Sequence, residues 1–121
     1  MTDKTTLVLG ASSKPERFSY IALKKLIAFN IPVVAIGPRE GEVLGVRIQK
    51  QCPDVPDIHT VTLYIGPKRQ SLYYDYILKI NPKRVIFNPG TGNLQFENTL
   101  RNQGIEVVKG CTLIMLDNGT Y

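Results

Sequence analysis

The chain has 121 residues, which fits one domain with a core and leaves little room for a second. Hydrophobic residues make up 43% of it, and 15 Lys and Arg against 10 Asp and Glu leave a net charge of +5. That surplus suits an anionic ligand or is simply a lysine-rich surface; no run of like charge and no interleaving of aromatic with basic residues points to nucleic acid, and no apolar run is long enough to span a bilayer.

Cys52 and Cys111 make no disulfide framework, and with His59 as the single histidine and no CxxC spacing there is no zinc site to expect. Residues 1–6 are polar and carry no signal peptide, so the expectation is a cytoplasmic protein with reduced thiols.

In chain order, residues 5–10 predict a first strand whose continuous apolar run, Leu7-Val8-Leu9, suits burial on both faces. It stops at Gly10, and a small-residue turn follows: Ala11, Ser12, Ser13, Lys14, Pro15, Arg17 and Ser19. A helix over about 18–29 then places Ala22, Leu23, Leu26 and Ile27 on one face and ends at Asn30. Small side chains at the front of a helix let a phosphate approach the outward-pointing N–H groups, so this turn is expected to hold the pyrophosphate of a nucleotide-containing cofactor. The alternative is an ordinary strand-to-helix connection, because the G-x-G-x-x-G fingerprint is absent and only Gly10 sits in the turn.

Val33 to Ile36 predicts the second strand, stopped by Gly37-Pro38. Residues 43–48 are short and β-prone around Gly45, read as an extended crossing segment; 49–57, with Pro53 and Pro56, read as irregular or one helical turn. Thr60 to Ile65 predicts the third strand, ending at Gly66-Pro67, with Pro67 opening a helix over about 67–80. Tyr73, Tyr76, Ile77 and Ile80 share a face of that helix; the tyrosines at 73, 74 and 76 are spaced for packing more than for a stacking platform. Arg84 to Phe87 predicts the fourth strand, ending in Asn88-Pro89-Gly90-Thr91-Gly92-Asn93, with Asn93 capping a helix over 94–103 that carries a Glu97–Arg101 pair and closes at Gly104. Ile105 to Val108 predicts the fifth strand, and Leu113 to Leu116 a last helical turn or two.

Five alternations of strand and helix predict an α/β, three-layer, open parallel sheet of about five strands with helices on both faces. Right-handed crossovers bring every strand-end loop to the carboxyl edge, where such sheets bind cofactors at the switch point. At the end of the second strand an NAD site would have a carboxylate for the ribose; this chain has Gly37-Pro38-Arg39. Arg39 either meets a phosphate on the ribose, which NADP and coenzyme A both carry, or is a solvated charge, and Glu40 and Glu42 close by weaken the first reading.

Together, GASSKPERFSY after the first strand and IGPREGEVLGVRI after the second resemble the small bacterial CoA-binding-domain proteins, whose Rossmann-like domain is similar to the one that opens the succinyl-CoA ligase α subunit. The resemblance covers nearly the whole chain. It implies that the first loop, Gly10, Ala11, Ser12, Ser13, Lys14, Pro15, Arg17 and Ser19, wraps the cofactor's phosphates. Pro38 and Arg39 would lie by the adenosine end, and Gly66 and Pro67 would line the adenine or pantetheine pocket. After the fourth strand the chain departs from the related Q-x-G-x-x-N-E pattern: Asn88, Gly90 and Asn93 stand in comparable places, but Leu94 replaces the acid. The ligase's domain with the phosphorylated histidine has no counterpart, and His59 falls at the opposite edge of the sheet.

These readings predict a non-catalytic binder of coenzyme A or an acyl-CoA, since no Ser-His-Asp set, metal spacing or paired carboxylates appear. An NADP-dependent oxidoreductase fragment is one alternative; a module working with a partner subunit, or as a homo-oligomer, is another. Cys111, at a strand-to-helix turn on the ligand edge, is either a buried structural thiol or a partner for the coenzyme A thiol in a mixed disulfide.

Overall fold

A computed structural model describes residues 4–121; the polar start read as carrying no signal peptide lies partly outside them, at residues 1–3. Strand β1, Thr6–Leu9, is fully buried, as its unbroken apolar run requires. Alternate side chains of β1 feed opposite faces of the sheet: Leu7 and Leu9 enter one hydrophobic cluster and Val8 the other. Helix α1, Phe18–Ala28, covers the second cluster with Leu23 and Leu26, and its Ala22 is buried on the same helix. Strand β2, Val33–Ile36, pairs in parallel with β1.

The chain then departs from the expected crossing segment. Gly41–Val43 (β3) and Val46–Gln49 (β4) form an antiparallel hairpin, and β4 pairs in parallel with β2. The two residues between them, Leu44 and Gly45, have φ of 49° and 86°, the left-handed pair that a two-residue hairpin turn needs. The sheet therefore has seven strands rather than about five. Residues 50–59 carry no helix or strand.

Strand β5, Thr60–Leu63, pairs with β1 on the side away from β2. The helix expected over 67–80 is divided: Pro67–Gln70 is α2, Ser71–Tyr73 a single 3₁₀ turn, and Tyr74–Ile80 is α3. The Ser71 hydroxyl donates to the Lys68 carbonyl at the break, a local bond that competes with regular helix. The tyrosines pack: Tyr73, Tyr74 and Tyr76 lie against the first cluster, and Tyr74 stacks on Phe96 with ring centroids 4.2 Å apart.

Strand β6, Arg84–Phe87, helix α4, Leu94–Asn102, strand β7, Glu106–Lys109, and helix α5, Thr112–Asn118, complete the chain. Asn93 caps α4, its side-chain oxygen accepting from the Phe96 amide at 3.2 Å.

The strand order is β3-β4-β2-β1-β5-β6-β7, all parallel except β3. Counting the parallel strands alone gives 3-2-1-4-5-6, the order of doubly wound dinucleotide folds. The chain winds from β1 outward to β4, then returns past β1 and winds the other way. The reversal opens a crevice at the carboxyl ends of β1 and β5.

Candidate functional site

The loop after β1 leaves the sheet under tight constraint. The amides of Gly10 and Ala11 both donate to the Ile36 carbonyl, at 2.8 and 2.9 Å, which ties the loop to the end of β2. Gly10 has φ of 96°, and a Cβ there would stand 2.7 Å from Ile65 Cγ2 and 3.0 Å from the Tyr64 backbone. Gly37 is closer still to its neighbour: a Cβ would lie 2.2 Å from the Ala11 carbonyl oxygen. The β1 loop thus sits in a space that two glycines leave open.

Beyond Ala11 the loop is freer. The Lys14 amide donates to Ser12 Oγ at 3.1 Å and the Arg17 amide to the Lys14 carbonyl at 3.0 Å. Arg17 is the N-cap of α1, and no side chain caps this helix. Among the described residues no protein acceptor takes the amides of Ser12, Ser13, Phe18 or Ser19. Free N–H groups at the front of an 11-residue helix are where the macrodipole favours negative charge.

This loop forms one wall of a cavity of about 570 Å³ over the switch point, within the roughly 300–1,000 Å³ of small-molecule sites. Of the residues expected to bind a cofactor, Gly10, Ala11, Ser12, Ser13, Lys14, Arg17, Ser19, Pro38, Arg39, Gly66 and Gly90 line it together. Pro15, Pro67 and Asn88 stand outside the lining. Asn88 is buried: its amide donates to Thr62 Oγ1 at 2.7 Å and the Leu63 carbonyl at 2.8 Å, and its oxygen accepts from the Thr112 amide at 2.9 Å. Its side chain joins β6 to β5 and to the start of α5. Cys111 also stands outside the lining, half-buried at the residue before α5.

Sequence reasoning missed Phe18, Tyr64, Ile65, Arg69, Pro89 and Thr91, all of which line the cavity. Arg69, two residues past Pro67, was the most legible of them, being a cation in the first turn after a strand-end glycine. Tyr64 is half-buried, and burial is the main cause that raises its phenol above the usual range. Phe18, at the first turn of α1, keeps 70% of its surface exposed at the cavity rim. Lys14, Arg17, Arg39 and Arg69 give the lining four cations, and among the described residues it contains no Asp, Glu, His or Cys. No group of three or more His, Cys, Asp or Glu among the described residues stands where it could hold a metal ion, and no described helix is long and apolar enough to cross a membrane.

A doubly wound sheet with an acid-free, cation-rich crevice at its switch point defines a nucleotide-cofactor type of domain. Residues 4–117 match the family model described as CoA binding domain, and the chain belongs to that family. Among solved structures, a protein described as uncharacterized is 45% identical over 100% of both chains, with a TM-score of 0.96. A hypothetical protein from Pyrococcus horikoshii is 30% identical, covering 96% of this chain and 83% of that one, with a TM-score of 0.86. A dinucleotide-forming acetyl-coenzyme A synthetase from Ca. Korarchaeum cryptofilum, solved with phosphate and ADP, shares the fold: 22% identity, TM-score 0.70, over 88% of this chain and 25% of that one. Among curated proteins, the vomeronasal type-2 receptor 26 of Mus musculus is 33% identical over 76 residues, 63% of this chain; the match spans 8% of the receptor.

Proposed function

We propose that the chain binds coenzyme A or an acyl-CoA in the switch-point cavity and does so as a binder, not as a catalyst. The observation that carries this reading is the uncapped front of α1, whose Phe18 and Ser19 amides stand beside Lys14 and Arg17 in a cavity without a carboxylate. Pyrophosphate would lie there, taking N–H donors and two cations at once. Arg39, past the end of β2, would meet the phosphate on the ribose. The rest of the cofactor would run over β5 and β6, along Ile65, Gly66, Gly90 and Thr91, which continue the same cavity. Membership of a CoA-binding family supports the choice of cofactor. The domain would stand to the succinyl-CoA ligase α subunit as a similar nucleotide-binding unit.

Isothermal titration of ligand-free, folded protein against CoA, acetyl-CoA, NAD and NADP tests the reading. Heat with the CoA species and none with NAD is expected. Heat with NADP alone would assign the cavity to an oxidoreductase fragment, and silence with both CoA species would remove the reading altogether. Light scattering with and without CoA separates a binder acting alone from one that assembles through its ligand.

A further inference from the structure

Gln70 has no exposed surface, which is unusual for a glutamine, and every polar hydrogen of its side chain is used. Its Nε2 donates to the Ile65 carbonyl at 3.0 Å and to the Thr91 carbonyl at 2.7 Å. Its Oε1 accepts from Asn93 Nδ2 at 3.0 Å, and the second hydrogen of that amide goes to the Tyr74 hydroxyl at 2.7 Å. Two carbonyl acceptors fix which end of the Gln70 amide is nitrogen. Ile65 and Thr91 belong to different loops, one after β5 and one after β6, and both line the cavity. One side chain therefore joins the two loops that make the β5–β6 part of the cavity wall.

We infer that Gln70 is the positioning residue for the ligand's half beyond the diphosphate: it holds this wall in its binding shape before any ligand arrives. This rests on the CoA reading above. Ile65, Gly66, Pro89, Gly90 and Thr91 bring no charged side chain to the wall, so its position sets how well an extended chain is gripped. A wall that is closed only part of the time lowers apparent affinity by the fraction of time it is closed. The nucleotide end, which the proposed function assigns to the β1 loop and Arg39, is expected to depend far less on Gln70, which has no hydrogen bond to that loop.

Gln70→Glu keeps the shape and replaces both donors with oxygen facing two carbonyls. Asn93→Asp is the gentler variant: it keeps the acceptor for the Phe96 amide and removes the donor to Gln70 and Tyr74. Affinities for CoA and for ADP, which shares only the nucleotide half, are measured by titration on each folded variant. Hydrogen exchange is followed over residues 65–70 and 89–93.

CoA affinity is expected to fall about tenfold, matching a wall closed one tenth of the time, while ADP affinity stays within about twofold and exchange rises in both segments. Equal losses for CoA and ADP, or no loss for either, would overturn the inference, as would unchanged exchange in both variants. A wild-type chain that binds neither CoA nor ADP would instead defeat the cofactor reading, and the exchange result would still decide whether Gln70 holds the wall.

Discussion

Gly37 shows how a single hydrogen in place of a methyl group shapes the cavity. Its neighbour is the Ala11 carbonyl oxygen, part of the backbone and not the movable end of a side chain, so an added Cβ 2.2 Å away cannot be relieved by a rotamer change. Gly37→Ala is expected to push the β1 loop off the end of β2, break the paired donation of Gly10 and Ala11 to Ile36, and cost about 1–3 kcal/mol, the usual range for overpacking. Denaturant unfolding measures the stability loss, and CoA titration on the folded variant should show weaker binding, because the amides proposed to hold pyrophosphate move with the loop. The sequence marks Gly37 as a strand stop and nothing more. That it lies under Ala11 depends on β1 and β2 being neighbours in register, which no local pattern states. Arg69 is visible in sequence as a cation after a strand-end glycine, but that it joins the other three cations follows only once β5 is placed on the far side of β1.

Helix α4 illustrates how a buried charge can serve an element without binding anything. Glu97 is 1% exposed; its carboxylate accepts from the Asn93 amide at 2.8 Å, with Lys109 at 3.6 Å and Arg101 at 3.8 Å. The Asn93 side chain thus caps the Phe96 amide while the Glu97 carboxylate takes the Asn93 amide, so the two side chains satisfy two donors at the front of the helix. Removing one member of a buried pair costs about 3–5 kcal/mol when the other is stranded. Here Lys109 and Arg101 are about half exposed and keep their water, so Glu97→Ala should cost less, about 1–2 kcal/mol, mainly the lost hydrogen bond to the helix front. A thermal or urea melt would check this, and a loss above about 4 kcal/mol would show that the cations depend on Glu97 more than their exposure implies.

Elements of this kind were the legible ones. The second and fourth strands were read to the residue, because continuous apolar runs between glycine, proline and asparagine stops admit one reading. The Asn93 cap and the glycine after α4 were also visible, each being a local chemical signal. The β3–β4 hairpin was not. Its strands have three and four residues, they are only partly buried, and its turn is Leu44-Gly45 instead of the asparagine-glycine that advertises such turns. The site was legible in its first loop and obscure beyond β5, where Gln70 acts through its side chain and looks in sequence like any polar helix residue.

Across the whole molecule, cations stand at both edges of the sheet. At the amino edge His59 lies near Arg84, Lys4 and Lys83; burial first, then these like charges, lower its pKa from the ordinary 6.5, with Glu106 opposing. A histidine with a depressed folded-state pKa takes up protons on unfolding. Its neutral form contributes stability above pH 6.5, and that contribution is lost as the pH falls from 6.5 toward the folded value. The melting temperature should therefore decline on acidification from pH 7 to 5, and His59→Gln should flatten the decline over that interval. An equally steep fall in the variant would place the sensitivity elsewhere.

The crevice with its four cations and no compensating acid has a practical side. Four cations with free amides beside them attract small multivalent anions, which on the proposed reading would contend with the cofactor for the same donors. Inorganic phosphate or sulfate at preparative concentrations is expected to compete with coenzyme A, so affinities titrated in those media should come out weaker, and the difference between buffers is itself a readout of how much of the binding is ionic.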